Sequence, residues 1–340
     1  MKNFAYFVAA RVEDAFVCDG TATMPIAGGT ELLNWFRLGI AAPDRIIDLA
    51  RIDGLDGIRR NGDRLSIGAL ATLNTIGEDA QVAEHAAVLA DACLQAASAQ
   101  VRNRATIGGN ALQKTRCAYF RAEEPLPWGC NKRAPGSGCA ARDGLNDRHA
   151  ILGWTDECVA VQPSDPVVAL AALDAEVELH GPGGRRTLAV ADLHLTPAEA
   201  AGALPLASPS EAARVETRML PGEVIVAYHL PIRRGLRSAY VKVRERASYE
   251  YALVSAAAAL TAQNGVIEKA AIALGSVALK PWRLPQAEAA LVGLAPRRES
   301  VLPALQAALA GARPLAHNRY KVPLAVNAAA RAIVEAGAKT

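Results

Sequence analysis

Residues 25–33 read PIAGGTELL, and residues 103–112 read NRATIGGNAL. Each stretch places a Gly-Gly pair after a short apolar run. Glycine lets the backbone approach a ligand closely, and successive backbone N–H groups can form a concavity that binds anions. In the first stretch a helix capped by Thr30 would add the positive end of its dipole. Two such loops facing each other predict a pyrophosphate site, while either pair alone is more typical of a plain turn.

Other signatures of phosphate binding and of catalysis do not stand out in the sequence. There is no G-x-G-x-x-G and no G-x-x-x-x-G-K-[ST], so neither a Rossmann fingerprint nor a P-loop is predicted. No catalytic triad, H-E-x-x-H motif or pair of acid/base carboxylates is evident, and the six histidines are scattered. The sequence therefore predicts no catalytic residue in this chain.

The length of the chain indicates two domains or three small subdomains. The 340 residues contain 51 % hydrophobic residues, enough for a real core, and the net charge of +3 argues against a broad nucleic-acid surface. No apolar run approaches the roughly 18 residues of a membrane span. The N-terminus MKNFAYFVAARVEDAFV lacks the features of a signal peptide, which predicts folding in the cytoplasm. Cysteines are normally reduced there, so a cysteine cluster favours metal binding or catalysis over disulfides.

The first part of the chain resembles a βαβ unit followed by a hairpin and helices. Strands are predicted at 22–27 and 45–50, with a helix between them that runs from Thr30 to Leu38 and stops at Gly39. The further predictions are a hairpin at Asn61-Gly62, helical structure over 72–97, and a helix that starts at Ser164 or Asp165 with Pro166 in its first turn.

A domain boundary is predicted near residue 220, after a segment rich in Pro, Ala and Ser. Beyond it, Asn264-Gly265 predicts a hairpin. The flanking run SAAAALTA has helical propensity, but the hairpin signal favours a strand. Helices are predicted at 285–312 and 324–336. The C-terminal domain, 221–340, is thus predicted to be α+β.

Four cysteines lie between the second Gly-Gly loop and the helix that follows it. Asn110 and Ser164 are separated by 53 residues, and Cys117, Cys130, Cys139 and Cys158 have intervening gaps of 12, 8 and 18 residues. No C-x-x-C is present, which excludes a zinc ribbon and a ferredoxin-type run. Four thiolates predict one tetrahedral site for an iron–sulfur cluster or zinc, with unliganded thiols or disulfides as the alternative.

Basic residues accompany the cysteines and allow two interpretations. They could offset the negative charge of a thiolate-ligated cluster, or they could form a solvated surface. Cys18 and Cys93 lie outside this segment, and both are predicted to be ordinary, partly buried cysteines. The basic residues are Lys114, Arg116, Arg121, Lys132, Arg133, Arg142 and Arg148.

AGGTEL followed by TIGGN resembles the FAD-binding medium subunit of molybdenum hydroxylases, the family of xanthine dehydrogenase and carbon monoxide dehydrogenase. The resemblance continues through PSDPVVALAALDAEVEL, LPGEVIVAYHLP and YVKVRERASYEYALVSAAAAL and covers nearly the whole chain. It implies a two-subdomain FAD-binding fold of the vanillyl-alcohol-oxidase type over 1–220, with subdomains at about 1–55 and 56–220. The C-terminal flavoprotein domain would then close over the flavin.

The resemblance also implies which residues contact FAD. The two Gly-Gly loops would wrap the pyrophosphate, Asp165 would hold the sugar end or simply cap its helix, and Leu220 would pack on the flavin ring. Lys242 would lie near the isoalloxazine, where a cation offsets the negative charge of reduced flavin, or it would be a surface lysine. The loop residues are Ile26, Ala27, Gly28, Gly29, Thr30, Glu31, Leu32, Thr106, Gly108, Gly109 and Asn110.

Within the family, some flavin subunits carry an extra [4Fe–4S] cluster in an insertion of this kind. The sequence CNKRAPGSGC resembles the aldehyde oxidoreductase type more closely than the 4-hydroxybenzoyl-CoA reductase type. The resemblance therefore implies a [4Fe–4S] cluster in an insertion at about 111–160. NAD-using members carry acidic residues shortly after the arginine that matches Arg246, whereas this chain has Tyr249 and Glu250, which argues against NAD use.

The implied function is electron transfer in a heterotrimeric, molybdenum-dependent aldehyde oxidoreductase. A large subunit with the molybdenum cofactor and a small subunit with [2Fe–2S] clusters would be the partners. Electrons would leave through FAD to an external acceptor such as a ferredoxin or a small molecule. Without a signal of its own, the chain could still reach the periplasm with a partner. The alternatives are a 4-hydroxybenzoyl-CoA reductase-like or xanthine dehydrogenase-like subunit, a free-standing flavin oxidase with a zinc-bound loop, and a scaffold subunit without FAD.

Overall fold

The structure is a computed structural model, and it describes residues 2–16, 22–203, 205–206 and 208–339. Three β-sheets with helices packed on them form a mixed α/β architecture. Cys18 lies outside the described residues. Within the described ranges, no helix is long and apolar enough to cross a membrane.

The first sheet has three parallel strands in the order β1-β3-β2. The predicted βαβ unit is confirmed, but helix α1 begins at Leu32 and Thr30 does not cap it, because Glu31 occupies the N-cap position. Gly39, with φ of 67°, follows the helix as predicted. The elements are β1 (Ala5–Val8), β2 (Thr23–Ile26), α1 (Leu32–Arg37) and β3 (Arg45–Asp48).

The second sheet has five antiparallel strands in the order β4-β5-β8-β6-β7. The hairpin predicted at Asn61-Gly62 is confirmed as the β4–β5 turn. Strand β8 lies at the centre of this sheet and pairs with β5 and β6. The boundary predicted at 220 assigned β8 to the C-terminal domain, whereas its hydrogen bonds join it to the preceding strands. The strands are β4 (Ile58–Asn61), β5 (Arg64–Gly68), β6 (Glu176–Gly181), β7 (Gly184–Ala189) and β8 (Val224–Pro231).

A series of short helices lies between strands β5 and β8 in the chain. The helical stretch predicted over 72–97 consists of three helices, because Thr72 and Asp79 each cap a new one. Ser164, not Asp165, is the N-cap of α9, and its Oγ accepts from the Val167 amide. The helices are α2 (Leu73–Glu78), α3 (Ala80–His85), α4 (Ala87–Gln95), α5 (Ala99–Arg102), α6 (Ile107–Ala111), α7 (Ala118–Arg121), α8 (Ala140–Asp143), α9 (Asp165–Ala172), α10 (Val190–Leu193) and α11 (Pro197–Ala203).

The third sheet is antiparallel in the order β12-β11-β10-β9. The hairpin at Asn264-Gly265 is confirmed, and the alanine run before it is a strand. Its small side chains suit this position, because α14 packs on one face of β10 and α9 on the other. The elements are β9 (Arg237–Val243), β10 (Val254–Gln263), β11 (Val266–Gly275), β12 (Trp282–Arg283), α12 (Pro285–Ala290), α13 (Arg298–Ala308) and α14 (Lys321–Ala338).

Helix α9 connects the two larger sheets. All eight of its residues are buried, and it contacts α4, β10 and β11. A helix that is apolar all round belongs in an interior, where each side chain fills space between other elements. The position of α9 therefore fixes the C-terminal sheet against the preceding part of the chain.

We predict that Leu170→Ala in α9 lowers the free energy of unfolding by about 2–5 kcal/mol, because it leaves a cavity at a fully buried position. Urea denaturation measures the change. Leu145→Ala, at a leucine that is 72 % exposed, is the matched control and is expected to have little effect. Equal losses in the two variants would contradict the assignment of α9 to the core.

Candidate functional site: a cavity between two Gly-Gly loops

The two Gly-Gly loops line one cavity, with about 1330 Å³ of empty space including its open mouth. The first loop follows strand β2. The second forms the one-turn helix α6, where the Thr106 Oγ1 accepts from the Gly109 amide at 3.2 Å. The predicted cofactor residues that line the cavity are Ile26, Ala27, Gly28, Gly29, Thr30, Glu31, Leu32, Thr106, Gly108, Gly109, Asn110 and Asp165.

Glycine is required where the loops meet. A Cβ atom on Gly28 would lie 1.8 Å from the carbonyl oxygen of Arg104, just before the second loop. A Cβ on Gly108 would lie 3.0 Å from the carbonyl oxygen of Ala69. Gly28 thus allows the two loops to meet beside the cavity, while Gly108 allows the second loop to pack on Ala69, just after strand β5.

Polar side chains behind the second loop hold it against helix α9. The Ser164 Oγ donates to the Asn110 Oδ1 at 2.5 Å, and the Gln162 Nε2 donates to the Ala111 carbonyl at 3.1 Å. The His194 Nε2 lies 2.8 Å from the same carbonyl. Burial lowers the pKa of His194, which favours a neutral ring. His194 was assigned no role from sequence, because nothing in its neighbourhood signals the contact with a residue so distant in the chain.

Asp165 is the acidic group at the cavity wall. Its Oδ1 accepts from the Tyr240 hydroxyl at 2.6 Å, and its Oδ2 accepts from the Lys242 Nζ at 2.8 Å. Lys242 also donates to the Gln95 carbonyl at 3.0 Å, and its side chain is fully buried. A buried carboxylate requires such partners, because an unpaired charge is costly in an interior.

Two predicted FAD contacts lie elsewhere. Lys242 does not line the cavity. Asp165 lies at the cavity wall, and Lys242 forms a buried ion pair with it on the side away from the cavity. It is also not the surface lysine that the alternative interpretation expected. Leu220 is 57 % exposed, and its backbone amide donates to the Glu223 carboxylate at 2.7 Å. Its neighbour Met219 lines the cavity instead.

Arg116 and Tyr251 are cavity residues that the sequence did not reveal. The Arg116 Nη2 donates to Glu31 at 2.8 Å and to Gln113 at 3.0 Å. Its guanidinium lies 4.3 Å from the centre of the Tyr251 ring. Arg116 had been noted as a basic residue of the cysteine segment, but its sequence position gives no sign that it faces the Gly-Gly loops.

The four cysteines of the insertion line a second, smaller cavity. It has about 290 Å³ of empty space, and Lys132 also faces it. Backbone N–H groups point at several of the sulfurs: those of Tyr119 and Phe120 at Cys117, those of Lys132 and Arg133 at Cys130, and that of Ala160 at Cys158. Such N–H groups stabilise thiolates and cluster sulfurs.

These cysteines are free thiols in the structure, as is Cys93, which is completely buried in α4. Burial raises the pKa of Cys117 to about 12 and that of Cys158 to about 11, so both carry protons at neutral pH when nothing is bound. Among the residues that the structure describes, no three His, Cys, Asp or Glu side chains stand at metal-binding distance from a common point. The four thiols share one cavity without forming a closed ligand set.

The basic residues of the insertion form ion pairs and do not make a bare solvated surface. Arg116 and Arg121 share Glu31, and Lys114 and Lys132 share Glu216. The remaining pairs are Arg133–Glu124, Arg142–Asp143 and Arg148–Glu250. Glu31 and Glu216 each face two cations, so each of these two clusters carries a net positive charge.

Glu216 makes the stability of the insertion dependent on pH. Its carboxylate lies 2.5 Å from the Lys132 Nζ and 2.9 Å from the Lys114 Nζ. Burial opposes the charge, but the two lysines prevail and lower the pKa of Glu216 to about 2. Because the folded-state pKa lies below the ordinary 4.5, this stabilisation is present above pH 4.5 and is lost as the pH falls towards 2.

We predict that Glu216→Gln lowers the free energy of unfolding at pH 7 by roughly 2–3 kcal/mol, with a much smaller difference from the native chain near pH 2. Denaturant unfolding across this pH range measures the effect. Glu13→Gln, at an exposed glutamate, is the control. A difference between Glu216→Gln and the native chain that does not change with pH would refute the assigned role of the ion pairs.

Comparison with known proteins agrees with this geometry. Residues 2–232 match the family described as the FAD-binding domain in molybdopterin dehydrogenase, and residues 239–336 match the C-terminal domain of CO dehydrogenase flavoproteins. The chain is 42 % identical over 317 residues to the FAD-binding subunit PaoB of an Escherichia coli K12 aldehyde oxidoreductase, covering 92 % of this chain and 91 % of that one.

Further relatives extend the similarity. The carbon monoxide dehydrogenase medium chain of Afipia carboxidovorans is 27 % identical over 325 residues, with coverage of 94 % of this chain and 91 % of the relative. A solved carbon monoxide dehydrogenase from Hydrogenophaga pseudoflava, which lacks the Mo-pyranopterin moiety of its cofactor, superposes with a TM-score of 0.73 at 27 % identity, covering 98 % of this chain and 97 % of that one. With its FAD-binding and C-terminal flavoprotein domains both matched, the chain belongs to the family of FAD-binding medium subunits of molybdenum hydroxylases, the flavoprotein subunits of oxidoreductase complexes.

Proposed function

We propose that this chain is the FAD- and [4Fe–4S]-containing electron-transfer subunit of a heterotrimeric, molybdenum-dependent aldehyde oxidoreductase. The observation that carries the proposal is the cavity between the Gly-Gly loops, which gathers the predicted FAD contacts other than Leu220 and Lys242. The 42 % identity to an aldehyde oxidoreductase subunit favours aldehydes as the substrate class of the complex.

The residues of the cavity fit FAD. The backbone of the first Gly-Gly loop lies at the wall, where its N–H groups would hold a pyrophosphate without a lysine. The second loop also lines the cavity, but the amides of Gly108 and Gly109 already donate to Ala69 and Thr106. Asp165 offers a carboxylate for hydroxyl groups of the cofactor, with Tyr240 and Lys242 fixing its orientation. When bound, FAD supplies a centre that exchanges either one or two electrons. The chain's part is to hold it, orient it and limit its contact with water.

The partners in this proposal are a large subunit with the molybdenum cofactor and a small subunit with [2Fe–2S] clusters. Relatives named medium chains or medium subunits support a multi-subunit assembly. Oxidation of the substrate takes place in the large subunit, and this chain provides the exit for electrons to an external acceptor. The chain therefore needs no acid/base residue of its own, in line with the absence of such a motif from the sequence.

The thiol cavity fits a [4Fe–4S] cluster by the chemistry of its donors. Cys117, Cys130, Cys139 and Cys158 supply the four thiolates that such a cluster requires, and backbone N–H groups point at three of these sulfurs. The buried Lys132 beside them would offset cluster charge. Ligation would require the thiols to lose their protons and close around the metal, as metal binding commonly does.

The two cavities lie close together along the chain. Arg116 lines the FAD cavity and its neighbour Cys117 lines the thiol cavity, so one peptide bond separates the walls. This adjacency supports a cluster that exchanges electrons with FAD, although the same cluster could brace the loop structurally.

A free-standing flavin oxidase with zinc at the four cysteines is the alternative that the donor set also accommodates. A 4-hydroxybenzoyl-CoA reductase-like or xanthine dehydrogenase-like subunit is the alternative within the family.

We expect the purified native protein to show flavin absorption above a broad visible band that dithionite bleaches, with about four irons per chain. Cys130→Ser should lose most of the iron and retain FAD. Cys93→Ala, at a buried cysteine outside the insertion, should keep both. Flavin bands without iron, together with zinc by elemental analysis, would refute the cluster. If Cys130→Ser reduces the acceptor at the native rate, the cluster has no role in electron transfer.

For the FAD site, we predict that Gly28→Ala weakens FAD binding at least tenfold, because the new Cβ must displace the Arg104 carbonyl from its place between the loops. Equilibrium titration of the FAD-free chain with FAD measures the effect. Gly183→Ala is the control, since its Cβ would meet no atom within 4 Å. Unchanged FAD affinity in Gly28→Ala would contradict the site.

A further inference from the structure

Residues 244–253 connect β9 to β10 and reach the FAD cavity. Tyr251 lines the cavity and is 36 % exposed. The Tyr249 amide donates to the carbonyl of Ala97 at 3.0 Å, and Ala97 also lines the cavity. Both residues have left-handed backbones, with φ of 55° for Tyr249 and 44° for Ala97. Residues other than glycine keep such conformations where the surrounding contacts hold them. The segment is therefore held in place by its contacts.

Arg148, from the cysteine insertion, supplies two of these contacts. Its Nη1 donates to the Glu250 carboxylate at 2.9 Å, and its Nη2 pairs with Glu245. One guanidinium thus joins two carboxylates that lie five residues apart in the segment. The Glu250 carboxylate also accepts from the Tyr251 amide at 3.1 Å, which links the ion pair directly to the residue at the cavity.

Arg116 holds the same segment from the other end of the insertion. Its guanidinium lies 4.3 Å from the centre of the Tyr251 ring and is itself fixed by Glu31. A cation above an aromatic face is attracted by the ring's negative face. Tyr251 is consequently secured through its ring by Arg116 and through its backbone by Glu250 and Arg148.

We propose that Arg148 is a positioning residue which, with Arg116, holds Tyr251 at the FAD cavity, so that the cysteine insertion controls the access of small electron acceptors to the flavin. The control is exerted through protein contacts and does not require the metal. A chain without the insertion would lack both arginines, and its segment between β9 and β10 would have to be held by other means. The inference deepens the proposed function, because it rests on FAD occupying this cavity.

The test compares the full-length chain with Arg148→Met, Tyr251→Ala and the variant that combines them. The first readout is the rate at which trypsin cleaves after Arg246, an exposed arginine within the segment. The second is the rate at which ferricyanide oxidises dithionite-reduced FAD, with each ferricyanide ion taking one electron and the flavin protons released to solvent.

We expect Arg148→Met to speed trypsin cleavage about threefold to tenfold, with or without FAD, since two partly exposed ion pairs are lost. Oxidation by ferricyanide, per bound FAD, should accelerate to a similar extent in Arg148→Met and in Tyr251→Ala. The combined variant should be no faster than Tyr251→Ala alone, because both changes act through the same ring.

Arg142→Met is the matched control, since this arginine belongs to the same insertion but pairs with Asp143 and Asp156. It should match the native chain in both readouts. If Arg148→Met also matches the native chain in cleavage, or if the effects of Arg148→Met and Tyr251→Ala on oxidation add, the inference is wrong.

Should Arg148→Met not fold, Glu250→Gln removes the partner carboxylate that touches Tyr251 and is judged by the same criteria. A folded native chain that binds no FAD would overturn the proposed function, and cleavage of the FAD-free chain would still decide whether Arg148 holds the segment.

Discussion

The contact between Gly28 and the carbonyl of Arg104 is the constraint on which the FAD site depends. A side chain at Gly28 would place its Cβ 1.8 Å from that oxygen, so the two backbones come as close as glycine permits. This contact joins the loop after a parallel strand of the first sheet to the loop before helix α6. The two loops, distant in sequence, meet at this contact and both line the cavity.

Buried polar contacts extend this constraint into the rest of the chain. Asn110 binds Ser164 at the N-cap of α9, and Asp165 binds Tyr240 and Lys242 of β9. Because α9 is buried between the second and third sheets, the cavity wall and the domain packing share the same few residues. Lys242 acts here by neutralising a carboxylate that stands at the wall, which is a different role from contact with the flavin.

The sequence predicted much of the local structure, because the signals of that structure are local. The Asn-Gly pairs specify tight hairpins, and at Asn264-Gly265 this turn preference prevailed over the helical propensity of the alanines before it. Two of the failures involve direction or distant pairing. Whether Leu220 or its neighbour Met219 faces the cavity depends on the geometry of a turn, and the place of strand β8 depends on hydrogen bonds to strands far away in the chain.

The insertion shows why sequence alone described its cysteines better than its arginines. Four cysteines carry a recognisable donor chemistry wherever they lie, whereas an arginine is informative only through its partner. Arg116 and Arg121 converge on Glu31 of the first Gly-Gly loop, and Arg148 reaches Glu250 of the segment between β9 and β10. These pairs join the insertion to Glu31, which lines the cavity, and to the segment that carries the cavity residue Tyr251. Because of these ion pairs, a change in the conformation of the insertion would move residues that line the cavity between the Gly-Gly loops.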